Sequence, residues 1–211
     1  LAALMLLILI WQGVSTLGIV PKFMLPSPLD VIRALINSAE ELAKHAQVTL
    51  TEAFVGLGIS IVLAIGIALI MDSFEALYKA LHPLLVVTQT IPTVAIAPLL
   101  VLWLGYDMAP KITLIVLTCF FPITIALLGG FKSSDRDAIN LMKAMGAKKW
   151  QIYRYIKFPN ALPGFFSGLR ISVSYSIVGA VIAEWLGGNS GLGVYMTRVR
   201  KSYAFDKMFA V

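Results

Sequence analysis

The side chains that could do chemistry in this chain are few and widely separated. There are two histidines, His45 and His82, and one cysteine, Cys119. No Ser-His-Asp, H-E-x-x-H or paired-carboxylate arrangement occurs, and a single cysteine provides neither a disulfide framework nor a metal site. We assign no chemistry to the histidines and interpret Cys119 as a small buried hydrophobe. The sequence predicts no catalytic residue and no metal ligand, which argues against an enzyme.

Two ionisable residues lie within one long apolar run. A charged side chain inside a membrane span costs free energy, so each is a candidate functional residue. Glu184 lies about one turn from one end of the run, beside Trp185. It either lines a pathway and braces an outer gate, or reaches the membrane interface. Arg170 lies near the other end, and snorkelling is the favoured interpretation there. Glu52, at the start of another run, is expected to be interfacial.

Polar groups and prolines cluster in the apolar runs. Pro92 and Pro98 interrupt one run and Pro122 the next, and each removes a backbone hydrogen bond. Freed carbonyls are tolerated where helices pack or a cavity opens. The candidates for a translocation path are Thr88, Gln89, Thr90, Pro92, Thr93, Ser172, Ser174, Ser176 and Glu184. Hydrogen bonding between helices is the alternative role for these hydroxyls.

The elements that hold these groups belong to a membrane protein. The hydrophobic fraction is 59%, only 13% of residues are charged, and mean hydropathy is +0.87. The net charge of +6 indicates orientation in a bilayer and not a nucleic-acid partner. Runs long enough to cross about 30 Å of hydrocarbon are Ala53–Met71, Pro83–Gly105, Ile112–Phe131 and Gly164–Leu186.

Partial apolar runs flank these four spans. Leu1–Trp11 is interpreted as the tail of a first span, and Met208–Val211 as the opening of a last one. We therefore expect an all-α polytopic protein of about six helices, the first and last truncated, forming one domain over 1–211. Gly56-x-x-x-Ser60 and Gly164-x-x-x-Gly168 predict close helix packing.

Four connections are predicted between the spans. Leu29–Lys44 has apolar residues at helical spacing and predicts one helix at the membrane surface. Asp72–Lys79 is expected to be a short connection and Tyr106–Pro110 a tight turn. Gly187–Gly191 is a flexible break. The dense basic charge of Lys132–Lys157 predicts that this segment is cytoplasmic, with Asp72–Lys79 on the same side and the other connections outside.

The loop 132–163 is too amphipathic to be a simple linker. Ser134 to Asp137 has the form of a capping box, and Gly146 is expected to end the helix that follows. Trp150, Tyr153 and Ile156 predict a second short helix ended by Pro159. Docking of a partner and adsorption onto anionic lipid are both open from this pattern alone.

The loop also resembles the signature loop of ATP-binding-cassette importer permeases, E-A-A-x3-G-x9-I-x-L-P. Gly146 is followed after nine residues by Ile156, then by Phe158 and Pro159, while residues 140–142 read Asn-Leu-Met in place of E-A-A. Further segments are similar to the permeases for nitrate, sulfonate, taurine and related compounds: Ile91–Leu99, Ala144–Trp150, Ala161–Gly164, Ala183–Glu184 and Ser190–Gly193.

The resemblance implies one pathway subunit of a type I importer in a prokaryotic inner membrane. It implies a second permease chain as a homodimer, two ATPase subunits that hold ATP and Mg²⁺, an extracytoplasmic solute-binding protein, and surrounding lipid. Solutes of the sulfonate, nitrate, taurine or pyrimidine-precursor type are implied. The residues implied to couple to the ATPase are Ala138, Leu141, Met142, Ala144, Met145, Gly146, Ala147, Lys148 and Trp150.

Other function classes are less well supported by the residues. The chain has no G-x-x-x-x-G-K-[ST] phosphate loop, so ATP would have to bind another polypeptide, and no cofactor is expected here. An ion-coupled secondary transporter is the alternative, but it usually has inverted repeats and ionisable residues at the membrane midplane. A scaffold without transport activity would give no reason for prolines and hydroxyls within spans.

Overall fold

The computed structural model describes residues 2–18, 20–21 and 23–211, so Leu1, Ile19 and Lys22 lie outside the described residues. The described secondary structure is helical. Its elements are α1 (Ala2–Thr16), α2 (Pro28–Asn37), α3 (Ala39–Ser73), α4 (Glu75–Thr88), α5 (Thr93–Leu104), α6 (Met108–Lys132), α7 (Arg136–Ala144), α8 (Lys149–Ile152), a π-helical segment (Tyr153–Lys157), α9 (Phe158–Gly187), α10 (Leu192–Lys201) and α11 (Phe205–Phe209).

Three stretches of helix are long and apolar enough to cross a membrane: Ala39–Ser73, Met108–Lys132 and Lys149–Gly187. They contain the predicted spans Ala53–Met71, Ile112–Phe131 and Gly164–Leu186. Helices satisfy their own backbone hydrogen bonds, which is what an apolar bilayer requires of them. The expected all-α polytopic class is confirmed.

The fourth predicted span, Pro83–Gly105, is not continuous. Helices α4 and α5 are bent by 99° at a short break between Thr88 and Thr93. Pro92 caps α5 in an extended conformation, with φ −60° and ψ 124°. A residue before proline is disfavoured in the α region, and this explains why the helix stops ahead of Ile91. Pro98 lies inside α5 without ending it.

The predicted partial spans fall on short helices. The first run is helical from Ala2 to Thr16, and Leu1 of that prediction lies outside the described residues. Met208–Val211 coincides with the end of the five-residue helix α11. That this end opens a further span stays a prediction.

Two of the predicted connections are wrong. Leu29–Lys44 is not one helix, because α2 ends at Asn37 and Ser38 separates it from α3. The bounds of the short connection expected over Asp72–Lys79 are wrong too, since α3 continues to Ser73 and α4 begins at Glu75. One non-helical residue separates two helices in each place, where an unbroken helix was expected around Ser38 and a longer connection around Phe74.

The other two connections are close to the predictions. Helix α5 ends at Leu104 and α6 starts at Met108, so the connection covers residues 105–107, whereas the turn was predicted at Tyr106–Pro110. The break after Gly187 is confirmed, and Gly191 there has φ +119°, a conformation that favours glycine.

The chain forms two compact units, one of residues 1–51 with 181–211 and one of residues 52–180. The second unit has a buried apolar core that includes Ala64, Ala68, Ile115, Ile123 and Phe131. A smaller cluster in the first unit contains Leu42, Tyr195 and Val199.

Glycines allow the helices of the second unit to pack closely. A Cβ at Gly168 would lie 2.7 Å from the carbonyl oxygen of Pro122, and one at Gly164 would lie 2.9 Å from that of Ala126. A Cβ at Gly56 would lie 2.5 Å from the side chain of Ile115. The predicted close packing at both small-x-x-x-small pairs is confirmed.

A substitution at this contact tests the packing. We expect Gly168→Ala to lower the melting temperature of the detergent-solubilised chain, because the new methyl group overpacks α6 at a cost of about 1–3 kcal/mol. Gly66→Ala is the matched control, since a Cβ there meets no atom within 4 Å. Equal melting temperatures for the two variants would contradict the close approach.

Candidate functional site

The candidate coupling loop, residues 132–163, contains helix α7. The helix is capped by Asp135, whose carboxylate accepts a hydrogen bond from the Asp137 N–H at 2.8 Å. The predicted capping box beginning at Ser134 is therefore wrong. Ser134 is buried and its hydroxyl donates to the carbonyl of Gly130 at 3.4 Å, so it belongs to the end of α6.

Gly146 ends α7 as predicted. Its φ is +80°, and its N–H donates to the Lys143 carbonyl at 3.0 Å. The Ala147 N–H donates to the Met142 carbonyl at 2.9 Å. These two bonds form a Schellman motif, in which a left-handed glycine reverses the chain and satisfies the last carbonyls.

Helix α7 presents apolar side chains to its surroundings and buries none of its residues. Leu141 is 63% exposed, Met145 78% and Trp150 61%. Ala138, Met142 and Ala147 are half-buried, whereas Ala144, Gly146 and Lys148 are exposed. An apolar cluster of this kind on a polar segment is typical of an interaction surface. Its role in binding an ATPase stays a prediction.

The second predicted helix does not end at Pro159. Helix α8 passes through the π-helical segment directly into α9. The Phe158 N–H donates to the Tyr153 carbonyl, five residues back. A proline has no N–H and needs room for its ring, and a wider π turn is a place where a helix can accommodate it. The part of the loop from Lys149 onward is thus continuous with the membrane-spanning stretch that ends at Gly187.

Asp72, at the end of α3, anchors this continuous helix. Its carboxylate oxygen Oδ2 accepts hydrogen bonds from the Tyr153 hydroxyl and the Lys157 ammonium. The Asp72 side chain is only 6% exposed, so the ion pair is largely shielded from water. Phe131 packs edge-on against Tyr153, with ring centroids 5.7 Å apart. This anchor was not predicted, although Asp72 is an acidic residue directly following the apolar run Ala53–Met71.

The two ends of the loop are held together. The Asn160 amide donates to the Gly130 carbonyl at 2.8 Å and to the Ser133 hydroxyl at 2.9 Å. A Cβ at Gly130 would lie 2.5 Å from the Cα of Ala161, so the end of α6 and the start of α9 are in backbone contact. The two ends of the loop, at the end of α6 and the start of α9, are therefore in direct contact.

Of the path candidates near the break after α4, Thr93 is half-buried and the others are exposed. The hydroxyls of Thr88 and Thr90 donate to the carbonyls of Leu85 and Val87, each at 2.8 Å. Pro92 and Thr93 start α5. Gln89 lines a cavity of about 400 Å³ together with Phe121, Pro122, Ile125, Ala126, Ser167, Gly168, Ile171 and Tyr175.

The serines of α9 have different surroundings. The buried Ser172 hydroxyl donates to the Cys119 carbonyl at 2.8 Å, and the Cys119 thiol donates to the Ser172 carbonyl at 3.2 Å. This reciprocal pair joins α6 and α9. Ser176 is buried and donates to the Val173 carbonyl at 2.9 Å, whereas Ser174 is exposed. Of the three, only Ser174 is open to a solute in this structure.

Glu184 organises the loop that follows α9. Its Oε1 accepts from the Thr49 hydroxyl at 2.7 Å and its Oε2 from the Gly193 N–H at 2.6 Å. Thr49 in turn accepts from the Leu192 N–H at 2.8 Å. Glu184 is 2% exposed, so the interpretation that it reaches the interface is wrong. Its carboxylate fixes the break by binding backbone donors.

His45 and Gly191 complete this cluster. The Gly191 N–H donates to His45 Nδ1 at 3.0 Å, and the imidazole packs against Tyr195 with ring centroids 5.3 Å apart. A Cβ at Gly191 would lie 2.2 Å from the Glu184 carboxylate. No local pattern indicates this structural role for His45, because its partner is a backbone N–H 146 residues away.

A buried ion pair lies in the second unit. Lys111 Nζ and Glu52 Oε1 are 2.6 Å apart, with their side chains 6% and 2% exposed. The expectation that Glu52 is interfacial is therefore wrong. Lys111 was overlooked, although opposite charges at the ends of two apolar runs are a usable signal of pairing. Among the described residues, no group of three or more His, Cys, Asp or Glu could hold a metal ion.

Comparisons with known proteins agree on one family. The family described as "Binding-protein-dependent transport system inner membrane component" matches residues 56–211. A probable ABC transporter permease protein of Haemophilus influenzae is 41% identical, over 97% of this chain and 83% of the relative. The formylaminopyrimidine transport permease ThiX of Halalkalibacterium halodurans is 40% identical, over 98% and 82%. The riboflavin transport permease RibX of Chloroflexus aurantiacus is 35% identical, over 93% and 74%.

The buried ion pair can be tested with a double-mutant cycle. We expect Lys111→Met to lower stability by about 3–5 kcal/mol, because it leaves the Glu52 carboxylate buried without its cation. Adding Glu52→Gln to Lys111→Met should recover a large part of that loss. Thermal or denaturant unfolding in detergent measures both. Additive losses in the double variant would show that the two residues do not interact.

Proposed function

The chain belongs to the family of binding-protein-dependent transport system inner membrane components, and from this premise we propose how it works as the permease subunit of an ABC importer. ATP is hydrolysed on separate ATPase subunits, and this chain provides the solute pathway. The exposed apolar side chains of Leu141 in α7, Met145 at its end and Trp150 in α8 form the surface where one ATPase subunit docks. The observation that carries this proposal is an exposed apolar surface on a loop whose two ends are hydrogen-bonded to each other.

The mechanism follows from the continuity of the loop with a span. Motion of a docked ATPase subunit would be transmitted through α8 and the π-helical segment to α9, since no break separates them. The Asp72 anchor would carry part of the same motion to α3. Docked contacts that differ between two ATPase states would shift the permease between outward-open and inward-open populations.

The partners follow from the same logic. Two permease chains as a homodimer, two ATPase subunits and an extracytoplasmic solute-binding protein form the proposed assembly. ATP and Mg²⁺ reside on the ATPase subunits, in line with the missing phosphate loop. Residues 1–211 act as one permease domain in a prokaryotic inner membrane, with the loop 132–163 in the cytoplasm and lipid around the spans.

For the solute, we propose a small uncharged heteroaromatic compound. The cavity beside Gln89 contains the aromatic rings of Phe121 and Tyr175, the Ser167 hydroxyl and the Gln89 amide, and none of its lining residues is charged. Aromatic faces and neutral hydrogen-bonding groups suit a heterocycle, whereas a sulfonate or nitrate would call for a cation. Similarity to permeases named for formylaminopyrimidine and riboflavin is consistent with this class.

The coupling role predicts the effect of changing Gly146. We expect Gly146→Val to reduce ATP-driven uptake at least tenfold and to lower the amount of co-purified ATPase, because a β-branched residue cannot easily adopt φ +80°. Uptake in proteoliposomes with ATPase and binding protein measures this. Gly129→Val is the control, since a Cβ there meets no atom within 4 Å. Normal coupled uptake by Gly146→Val would refute the docking role.

The solute proposal predicts a change in apparent affinity. We expect Gln89→Ala to raise the KM for uptake of a pyrimidine about tenfold. The reason is that the variant loses one hydrogen bond to the solute, which contributes about 1–1.5 kcal/mol. Thr113→Ala is the control, because its hydroxyl bonds the Ala109 carbonyl and it does not line the cavity. Uptake of taurine in preference to pyrimidines by the unaltered transporter would contradict the proposed class.

A further inference from the structure

A second cavity, of about 290 Å³, lies in the unit of residues 52–180, between the end of α3, helix α7 and the turns after Lys149. We name it the lysine cavity. It is small for a nucleotide and suits an anion the size of a phosphate or a phospholipid headgroup. The side chains that matter for binding are Asp72, Ile139, Lys143, Lys149, Ile152 and Lys157.

The charges around the lysine cavity do not cancel. Three lysines and one aspartate line it, which gives a net charge of +2. Lys157 is paired with Asp72, so these two neutralise one another. Lys143 and Lys149 form no ion pair with any residue that the structure describes. Two cations with no protein counter-ion therefore face one small cavity.

The positive charge of Lys143 and Lys149 favours phosphate as the ligand. A phosphate monoester has a charge of about −1.5 to −2 at pH 7, which matches the two free ammonium groups. Lysine binds phosphate as a compact point charge with three donors. Ile139 and Ile152 add apolar surface that suits the short carbon portion of a headgroup. The Tyr153 hydroxyl already donates to Asp72 and is not available to the anion.

We propose that the lysine cavity binds a phosphate group, held between Lys143 of α7 and Lys149 of α8. The group comes either from a phospholipid headgroup or from a soluble phosphate compound. A phosphate in this position would fasten α7 to the start of the helix that continues into α9. Binding itself does not depend on ATPase docking, so it can be tested on the permease chain alone.

The first test uses inorganic phosphate and the full chain in neutral detergent. Phosphate should raise the melting temperature more than chloride at equal ionic strength. Lys143→Gln with Lys149→Gln should abolish this shift, and each single substitution should weaken phosphate binding about tenfold by calorimetry. Lys148→Gln is the matched control, because Lys148 is exposed on the same segment, as Lys143 and Lys149 are, but does not line the cavity. Lys148→Gln should weaken phosphate binding less than about twofold, as expected of an exposed charge outside the cavity.

The second test separates the two sources of phosphate. The chain is reconstituted in nanodiscs of phosphatidylglycerol with phosphatidylcholine, and the phosphatidylglycerol retained after detergent extraction is counted by native mass spectrometry. Less retention in the double variant than in Lys148→Gln identifies a lipid headgroup, whereas equal retention with phosphate-dependent stabilisation identifies a soluble ligand. If the double variant does not fold, lipid retention in each single variant is compared with that in Lys148→Gln instead.

The proposal is overturned by either of two results. One is the absence of any phosphate-specific shift and any phosphatidylglycerol preference in the unaltered chain. The other is an equal loss in Lys148→Gln and in the cavity variants, which would show that general basic charge is responsible. Loss of ATP-driven uptake with phosphate binding intact would bear on the proposed function and leave the lysine cavity standing.

Discussion

The carboxylate of Asp72 is the point on which the loop architecture depends. It receives the Tyr153 hydroxyl and the Lys157 ammonium, and so ties the end of α3 to the one segment of helix that is not α-helical. Without it, a half-buried tyrosine and a lysine with a largely shielded side chain would lose their acceptor. The π turn, the passage through Pro159 and the continuity into α9 all lie within this anchored region.

The same rule governs the other buried charges that the structure describes, since each has a partner distant in sequence, while Glu52 Oε2 itself accepts no hydrogen bond. Glu52 is paired with Lys111, and Glu184 accepts from Thr49 and from the backbone of the following loop. An unpaired charge in these positions would cost several kcal/mol, roughly as much as the whole stability of many domains. The buried carboxylates of this chain are therefore first of all structural, and a role in contacting solute has to be compatible with those bonds.

Packing and chemistry share the same residues in the membrane-spanning helices. Gly168 brings α9 against α6 and also lines the cavity beside Gln89. Ser172, expected among the groups of a path, instead joins α6 and α9 through Cys119. A hydroxyl in a span can satisfy a neighbouring carbonyl or face a cavity, and residue type alone does not distinguish the two.

The sequence by itself determined the helical class, three of the spans, the small-residue contacts and the end of α7 at Gly146. These features depend on the length of apolar runs, on local residue spacing and on one residue in the left-handed conformation, and all of these follow from residues close together in the sequence. Only the tertiary structure decided that Glu52 meets Lys111, that His45 accepts from Gly191, that Ser134 belongs to α6 and that α8 continues past Pro159. The first two outcomes depend on partners remote in sequence. The third depends on whether Ser134 bonds the preceding helix or caps the next one, and the last on a widened turn, so the sequence pattern could not specify them.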